Sequence, residues 1–239
     1  LEFRRVLFRS RIINCYNTCS AAGSGYIGGI VGELNGSNCS NCYNTGAISG
    51  SNYVGGIAGN AFGGTVANCY NIGEISGDNA GGIVGTLGSG LNSGVASECY
   101  FLDGTAKNGA GTGASCGKKI STDDLASQST FTSWNFGDTD PVWQMNSILG
   151  RPVLVSNPEG GNGDENSPYE IRTAADLRAF ASAVNGGENF SGQRVILTQD
   201  IDLENQDWTP IGTDSSGFCG TFSGGGYTIS GLCMNGSNL

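Results

Sequence analysis

The chain has 239 residues, of which 42 are glycine, nine are cysteine and none is histidine; 13% are charged, and the formal net charge is −10. The lack of histidine excludes a Ser-His-Asp or Cys-His nucleophile, a histidine base and a histidine-ligated metal within these residues. The acidic balance speaks against nucleic-acid binding, which needs clustered Lys and Arg, and no apolar run approaches the ~20 residues of a membrane helix.

Residues 1–10 (LEFRRVLFRS) stand apart, with three arginines and no glycine against five arginines in all that follows. The segment resembles the translation of a sequencing adapter and is set aside from fold reasoning as a scar would be. The remainder holds 8 basic and 20 acidic residues, a net −12.

Residues 11–115 are governed by a repeat. Asn14-Cys15-Tyr16-Asn17 recurs as Asn41-Cys42-Tyr43-Asn44 and Asn68-Cys69-Tyr70-Asn71, at a spacing of 27 both times. A degenerate copy, Glu98-Cys99-Tyr100-Phe101, follows 30 residues later. A second motif runs in phase: Gly28-Gly29-Ile30-Val31-Gly32, Gly55-Gly56-Ile57-Ala58-Gly59 and Gly81-Gly82-Ile83-Val84-Gly85. Glycine and asparagine are poor helix formers, and the apolar residues form short islands between turn residues, so the repeat reads as short strands. One such unit cannot bury its own apolar face, so neighbours must stack. The expected fold is all-β: a parallel β-solenoid with coils of about 27 residues spaced about 4.8 Å apart. Equivalent residues then form ladders. Cys15, Cys42, Cys69 and Cys99 make one, Tyr16, Tyr43, Tyr70 and Tyr100 another on the opposite face, and Ile30, Ile57 and Ile83 an inward one.

The combination N-C-Y-N, G-x-I-S-G and G-G-I-V-G over residues 12–104 resembles the GLUG motif of large secreted and surface proteins of bacteria. These include adhesin-like proteins and the non-catalytic part of some IgA-cleaving metallopeptidases. The resemblance implies an architecture and a secreted or cell-surface location, but no catalytic residue.

Further along, Ser121-Thr122-Asp123-Asp124-Leu125 reads as a capped helix start within a closing segment, residues 116–156, that carries Trp134, Phe136, Val142-Trp143 and Arg151 to Leu154. Residues 157–167 are rich in Gly, Asn and acids and read as a linker. A second unit, residues 168–239, opens with the cap signature Thr173-Ala174-Ala175-Asp176. A helix with Leu177, Phe180, Ala181 and Val184 at helical spacing follows, stopped by Gly186-Gly187. Strands are expected at 194–197, 201–203, 220–222 and 227–229. Together these resemble the truncated start of a second β-helix behind a short N-terminal capping helix.

Candidate chemistry is sparse. Cys39-x-x-Cys42 admits three readings: metal or redox chemistry, disulfides along the ladder, or buried free thiols. The repeat favours the last, because Cys39 aligns with Ile12 and Val66, no second C-x-x-C exists and no histidine completes a site. No metal or cofactor is therefore expected, apart from weak calcium candidates in Asp200, Asp202, Glu204 and Asp207. An alternating strand with a solvated acidic face is the plainer reading of those four. Gly23-Ser-Gly25-Tyr-Ile-Gly28 matches a dinucleotide fingerprint, but no helix follows it. Residues 11–115 hold only Glu33, Glu74, Asp78, Glu98 and Asp103 as acids, on no common ladder, whereas glycoside hydrolysis needs a facing pair. The tyrosine ladder Tyr16, Tyr43, Tyr70 and Tyr100 is the candidate ligand-facing surface, for glycans of a host or polymer or for other surface proteins. The expected role is non-enzymatic, an adhesin-like or spacer segment of a large bacterial surface protein. The alternatives are a fragment of a carbohydrate-active β-helix enzyme or the non-catalytic part of a secreted metallopeptidase.

Overall fold

The computed structural model describes residues 6–8, 10–137, 139–155 and 160–234. Apart from the strand Val6–Phe8 and Ser10, the adapter-like segment lies outside them. The backbone of Val6–Phe8 pairs with Glu33 to Asn35 at the same offset of 27. The chain divides into two compact units, Leu1–Val142 and Trp143–Leu239.

The first unit is a parallel β-solenoid. Each full coil holds five short strands, as in Asn38–Ser40, Tyr43–Asn44, Ile48–Gly50, Val54–Gly55 and Ala58–Asn60. Each strand pairs in parallel with its equivalents in the coils before and after, so Tyr16, Tyr43, Tyr70, Tyr100 and Lys118 fall on one five-stranded sheet. The offset is 27 for Tyr43 and Tyr70, and 30 for Tyr70 and Tyr100. The extra residues of the fourth coil fall about the turn Gly90–Asn92, where Leu91 is fully exposed.

Two features of the repeat fix the coil. The first Asn of each N-C-Y-N turns the corner in the left-handed region, with φ of 54° at Asn14, 53° at Asn41 and 51° at Asn68. Asparagine tolerates that conformation better than other side-chain-bearing residues. Glu98 takes the same corner with φ 48°. The second glycine of G-G-I-V-G leaves room across a narrow interior. A Cβ on Gly29 would lie 2.5 Å from Asn44 Cγ, one on Gly56 2.5 Å from Asn71 Cγ, and one on Gly82 2.5 Å from Phe101 Cγ. Ile57 and Ile83 are fully buried in a core with Val31, Leu34, Val66, Val84 and the cysteines, and Ile30 packs partly buried against it.

After the last coil comes the short helix α1 (Thr122–Leu125), with Ser121 Oγ accepting from Asp124 N at 3.1 Å and the Asp124 carboxylate accepting in return from Ser121 N. Those returning bonds hold the Asp124 carboxyl below its ordinary range.

The second unit opens earlier than the linker expected at 157–167. Trp143–Asn146 and Arg151–Leu154 form an antiparallel hairpin that belongs to it. Asn146 ties this hairpin down by donating to Gly161 O at 3.0 Å and accepting from Ile148 N and Leu149 N, and Ile148 enters the second unit's core. Aromatic content alone had placed these residues with the first unit's closing segment. Helix α2 (Ala174–Asn185) has the expected cap at Thr173 and buries Leu177, Phe180, Ala181 and Val184. Behind it run the parallel strands Tyr169–Ile171, Arg194–Leu197 and Thr221–Ser223, with offsets of 26 and 27, the start of a second solenoid.

Candidate functional site

The N-C-Y-N strand concentrates the chain's chemically distinctive side chains, so its three ladders are the candidate site. Alternation along the strand turns Cys inward, Tyr to the opposite face and the second Asn inward again.

The asparagine ladder lies in the interior. Asn17 donates to Asn44 Oδ1 at 2.7 Å, and Asn44 donates to Asn71 Oδ1 at 2.7 Å. Each also donates to the carbonyl two residues on, at Cys19, Gly46 and Gly73. Asn44 and Asn71 are fully buried. In the fourth coil Phe101 takes the position and ends the amide chain.

The tyrosine ladder is roofed. Tyr16 stacks on Tyr43, and Tyr43 on Tyr70, with centroids 5.0 Å apart and planes 5° and 7° from parallel. That separation matches the coil spacing. The segment after α1 lies over the end of the stack. Trp134 packs on Tyr70 and edge-on to Tyr100, Phe131 meets Tyr100 edge-on, and Trp134 Nε1 donates to Glu98 O at 3.1 Å. Tyr43 and Tyr70 have no exposed surface, Tyr100 is 5% exposed and Tyr16 is half-buried. The ladder expected to face a ligand is therefore covered, because its large aromatic area is worth more buried than wetted. Burial, together with Glu98, pushes the Tyr100 hydroxyl up to about 12.

The cysteines are free thiols. Every ladder sulfur donates to the carbonyl two residues before it, from Cys15 to Ile13 O, Cys42 to Ser40 O, Cys69 to Ala67 O and Cys99 to Ser97 O, at 3.1–3.2 Å. Cys39 adds a sulfur that the repeat does not carry elsewhere, since Ile12 and Val66 pair with it on either side. Cys39, Cys42 and Cys69 are all buried, with their three Sγ atoms within 4.8 Å of one another. Hydrogen bonds from Cys15, Cys39 and Cys69 favour loss of the Cys42 proton, whereas burial pushes the Cys69 thiol up, and its bond with Cys42 followed by burial does the same to Cys39. Sequence alignment assigned Cys39 to an apolar row and so missed this convergence. The detectable signal was that Cys39 is the one sulfur in that row, next to a sulfur ladder.

The acids do not converge. Asp200 accepts from Thr228 N and Asp202 from Glu204 N, both at 2.8 Å, so these carboxylates fix backbone turns. Among the described residues, Asp200, Asp202, Glu204 and Asp207 form no group of three side-chain ligand atoms within 4.8 Å of one another. In the first unit Glu33 accepts from Asn60, Glu98 from the Tyr100 hydroxyl, and Asp103 pairs with Lys119 at 3.0 Å. The second unit carries a cavity of about 270 Å³ lined by Arg178, Ala181, Ser182, Asn185, Trp208 and Thr209. There the Arg178 guanidinium lies 5.9 Å from the centre of the Trp208 ring.

The pattern of the GLUG motif matches residues 50–76, which span the glycine pair Gly55-Gly56 and the strands on either side of it. Residues 50–76, one coil's length of the solenoid, carry the GLUG motif. The chain is similar to a protein of Evansella cellulosilytica provisionally described as a Gly-rich membrane protein, 36% identical over 77 residues. That match covers 32% of this chain and 9% of the relative, so the chain corresponds to a small part of that protein. It is also similar to a crystal structure from Bacteroides ovatus, provisionally described as an immunoglobulin A1 protease. The identity is 24%, the TM-score 0.44, and the match covers 62% of this chain and 58% of that one. Among the described residues no helix is long and apolar enough to cross a membrane.

Proposed function

We propose that the chain is a non-catalytic, rigid spacer segment of a bacterial surface or secreted GLUG-repeat protein. One observation carries this reading: the side chains that could do chemistry or hold a ligand are used to join coil to coil. The amides of Asn44 and Asn71 are buried, the tyrosine stack is roofed, and Cys39, Cys42, Cys69 and Cys99 are buried. Apart from Ile13, Tyr26, Leu91 and Val95, what remains outside the first unit's coils is mostly small or polar and lightly charged, which suits a solvated rod. Scattered acids, of which Glu33, Glu98 and Asp103 are each held by a partner of their own, also favour a spacer over a polysaccharide-cleaving enzyme.

The adhesin-like reading is favoured by one separate feature, the Arg178–Trp208 cavity, where an aromatic face and polar groups converge as in sugar sites. The full chain on a glycan array, beside a polysaccharide-cleavage assay, tests both readings. A spacer gives neither retention nor cleavage. Retention abolished by Trp208→Ala would favour the adhesin, and cleavage of any polymer would overturn both.

A further inference from the structure

We infer that Cys39, Cys42 and Cys69 form a buried three-sulfur site for a soft monovalent metal ion, copper(I). The sulfurs come from two adjacent coils and lie within 4.8 Å of one another. That separation places each no more than about 2.8 Å from their common centre, and a small rotation about each Cα–Cβ bond closes the rest to metal–sulfur distances near 2.3 Å. The third sulfur is not a by-product of the repeat. The row that holds Cys39 carries Ile12 before it and Val66 after it, so only the second coil adds a thiol beside the ladder.

The choice of ion follows from ligand number and softness. Thiolate sulfur selects copper(I), zinc and iron–sulfur clusters. Zinc in a closed site takes four ligands, whereas among the described residues only these three sulfurs lie within 4.8 Å of one another; Cys15 and Cys99, next on the ladder, fall outside that group. Copper(I) accepts three. Metal-bound cysteine is thiolate, so each Sγ–Cu bond replaces an Sγ–H bond: three Sγ–H and Cu⁺ give the Cu(Sγ)₃ shell and three H⁺, and no electron is transferred. Cys15, exposed on the same ladder, is the sulfur by which the ion enters.

The test uses the full chain, reduced and anaerobic, with Cys19, Cys219 and Cys233, which lie off the sulfur ladder, removed by Cys19→Ser, Cys219→Ser and Cys233→Ser. Copper(I) is supplied as its acetonitrile complex in competition with a chromogenic copper(I) chelator. One copper per chain is expected, with an X-ray absorption spectrum showing a three-sulfur shell. Cys39→Val restores the residue found in the next coil, and should leave the melting temperature of the metal-free chain unchanged. It should also weaken retention by more than the roughly 10–100-fold that loss of an outer partner costs a metal site. Cys69→Ala should do the same from the neighbouring coil. The inference is overturned if no copper is retained, if the shell contains nitrogen or oxygen, if Cys39→Val holds copper as the parent does, or if zinc is held as tightly.

Discussion

Replacing Asn44 by alanine should destabilise the first unit more than any single exposed change. The side chain is fully buried and joins three coils: it accepts from Asn17 and donates to Asn71 Oδ1 and Gly46 O, all at 2.7–2.8 Å. After truncation Asn17 keeps Cys19 O, and Asn71 Oδ1 keeps the Gly73 amide at 3.2 Å. The Gly46 carbonyl loses its side-chain donor, and a cavity opens. One or two buried groups left short of a partner cost ~1–3 kcal/mol each, so a loss of about 2–4 kcal/mol is expected. With a urea slope of about 2 kcal/mol per M, the first unit's midpoint should fall by about 1–2 M. The half-buried Asn17 should cost about 1 kcal/mol when treated alike, because water can replace the lost bond. Asn44→Asp should be worse than alanine near neutral pH, since a carboxylate would face two acceptors. Its raised carboxyl pKa means the deficit shrinks as the pH falls and the group gains a proton to donate. A midpoint shift for Asn44→Ala below about 0.3 M, or a larger shift for Asn17→Ala, would refute the amide ladder as a structural element.

Three further outcomes follow from the same structure. Gly56→Ala should abolish or severely weaken folding, because its Cβ would lie 2.1 Å from Gly82 O, whereas Gly217→Ala, with nothing within 4 Å, should be neutral by thermal melting. Trp134→Ala should cost about 3–5 kcal/mol and expose Tyr70 and Tyr100, measured as increased tyrosine quenching by an added solute. The first unit should lose stability as pH rises from about 9 to about 12. Cys116 and Tyr100, both pushed up to about 12 by burial, stay protonated in the fold while the unfolded chain ionises first. Alkaline melting curves that do not move would contradict that linkage.

The coil was legible because its signals are local and periodic. Motif spacing gave the register that pairs Tyr16 with Tyr43 and Cys39 with Ile12 and Val66, and capping boxes gave the starts of α1 and α2. What depended on distant segments was not legible. Nothing in N-C-Y-N tells that residues after α1 return to cover the tyrosines, nor that Trp143 joins the second unit instead of the first. The second Asn could equally have faced solvent by its chemistry. Only the glycine opposite it, Gly29 or Gly56, marks it as interior, and that pairing is readable only once the coils are stacked. The sulfur triad was hidden for the same reason, since two of its members lie in one coil and the third in the next.

Tyrosine nitration of the native chain, read residue by residue by mass spectrometry, asks whether the ladders serve to join coils or to meet a ligand. If they join coils, Tyr26 and Tyr227, 38% and 46% exposed, react while Tyr43, Tyr70 and Tyr100 stay unmodified until the first unit unfolds. Modification of Tyr43 or Tyr70 as fast as Tyr227 would mean the stack is open to solvent, and the spacer reading would fall.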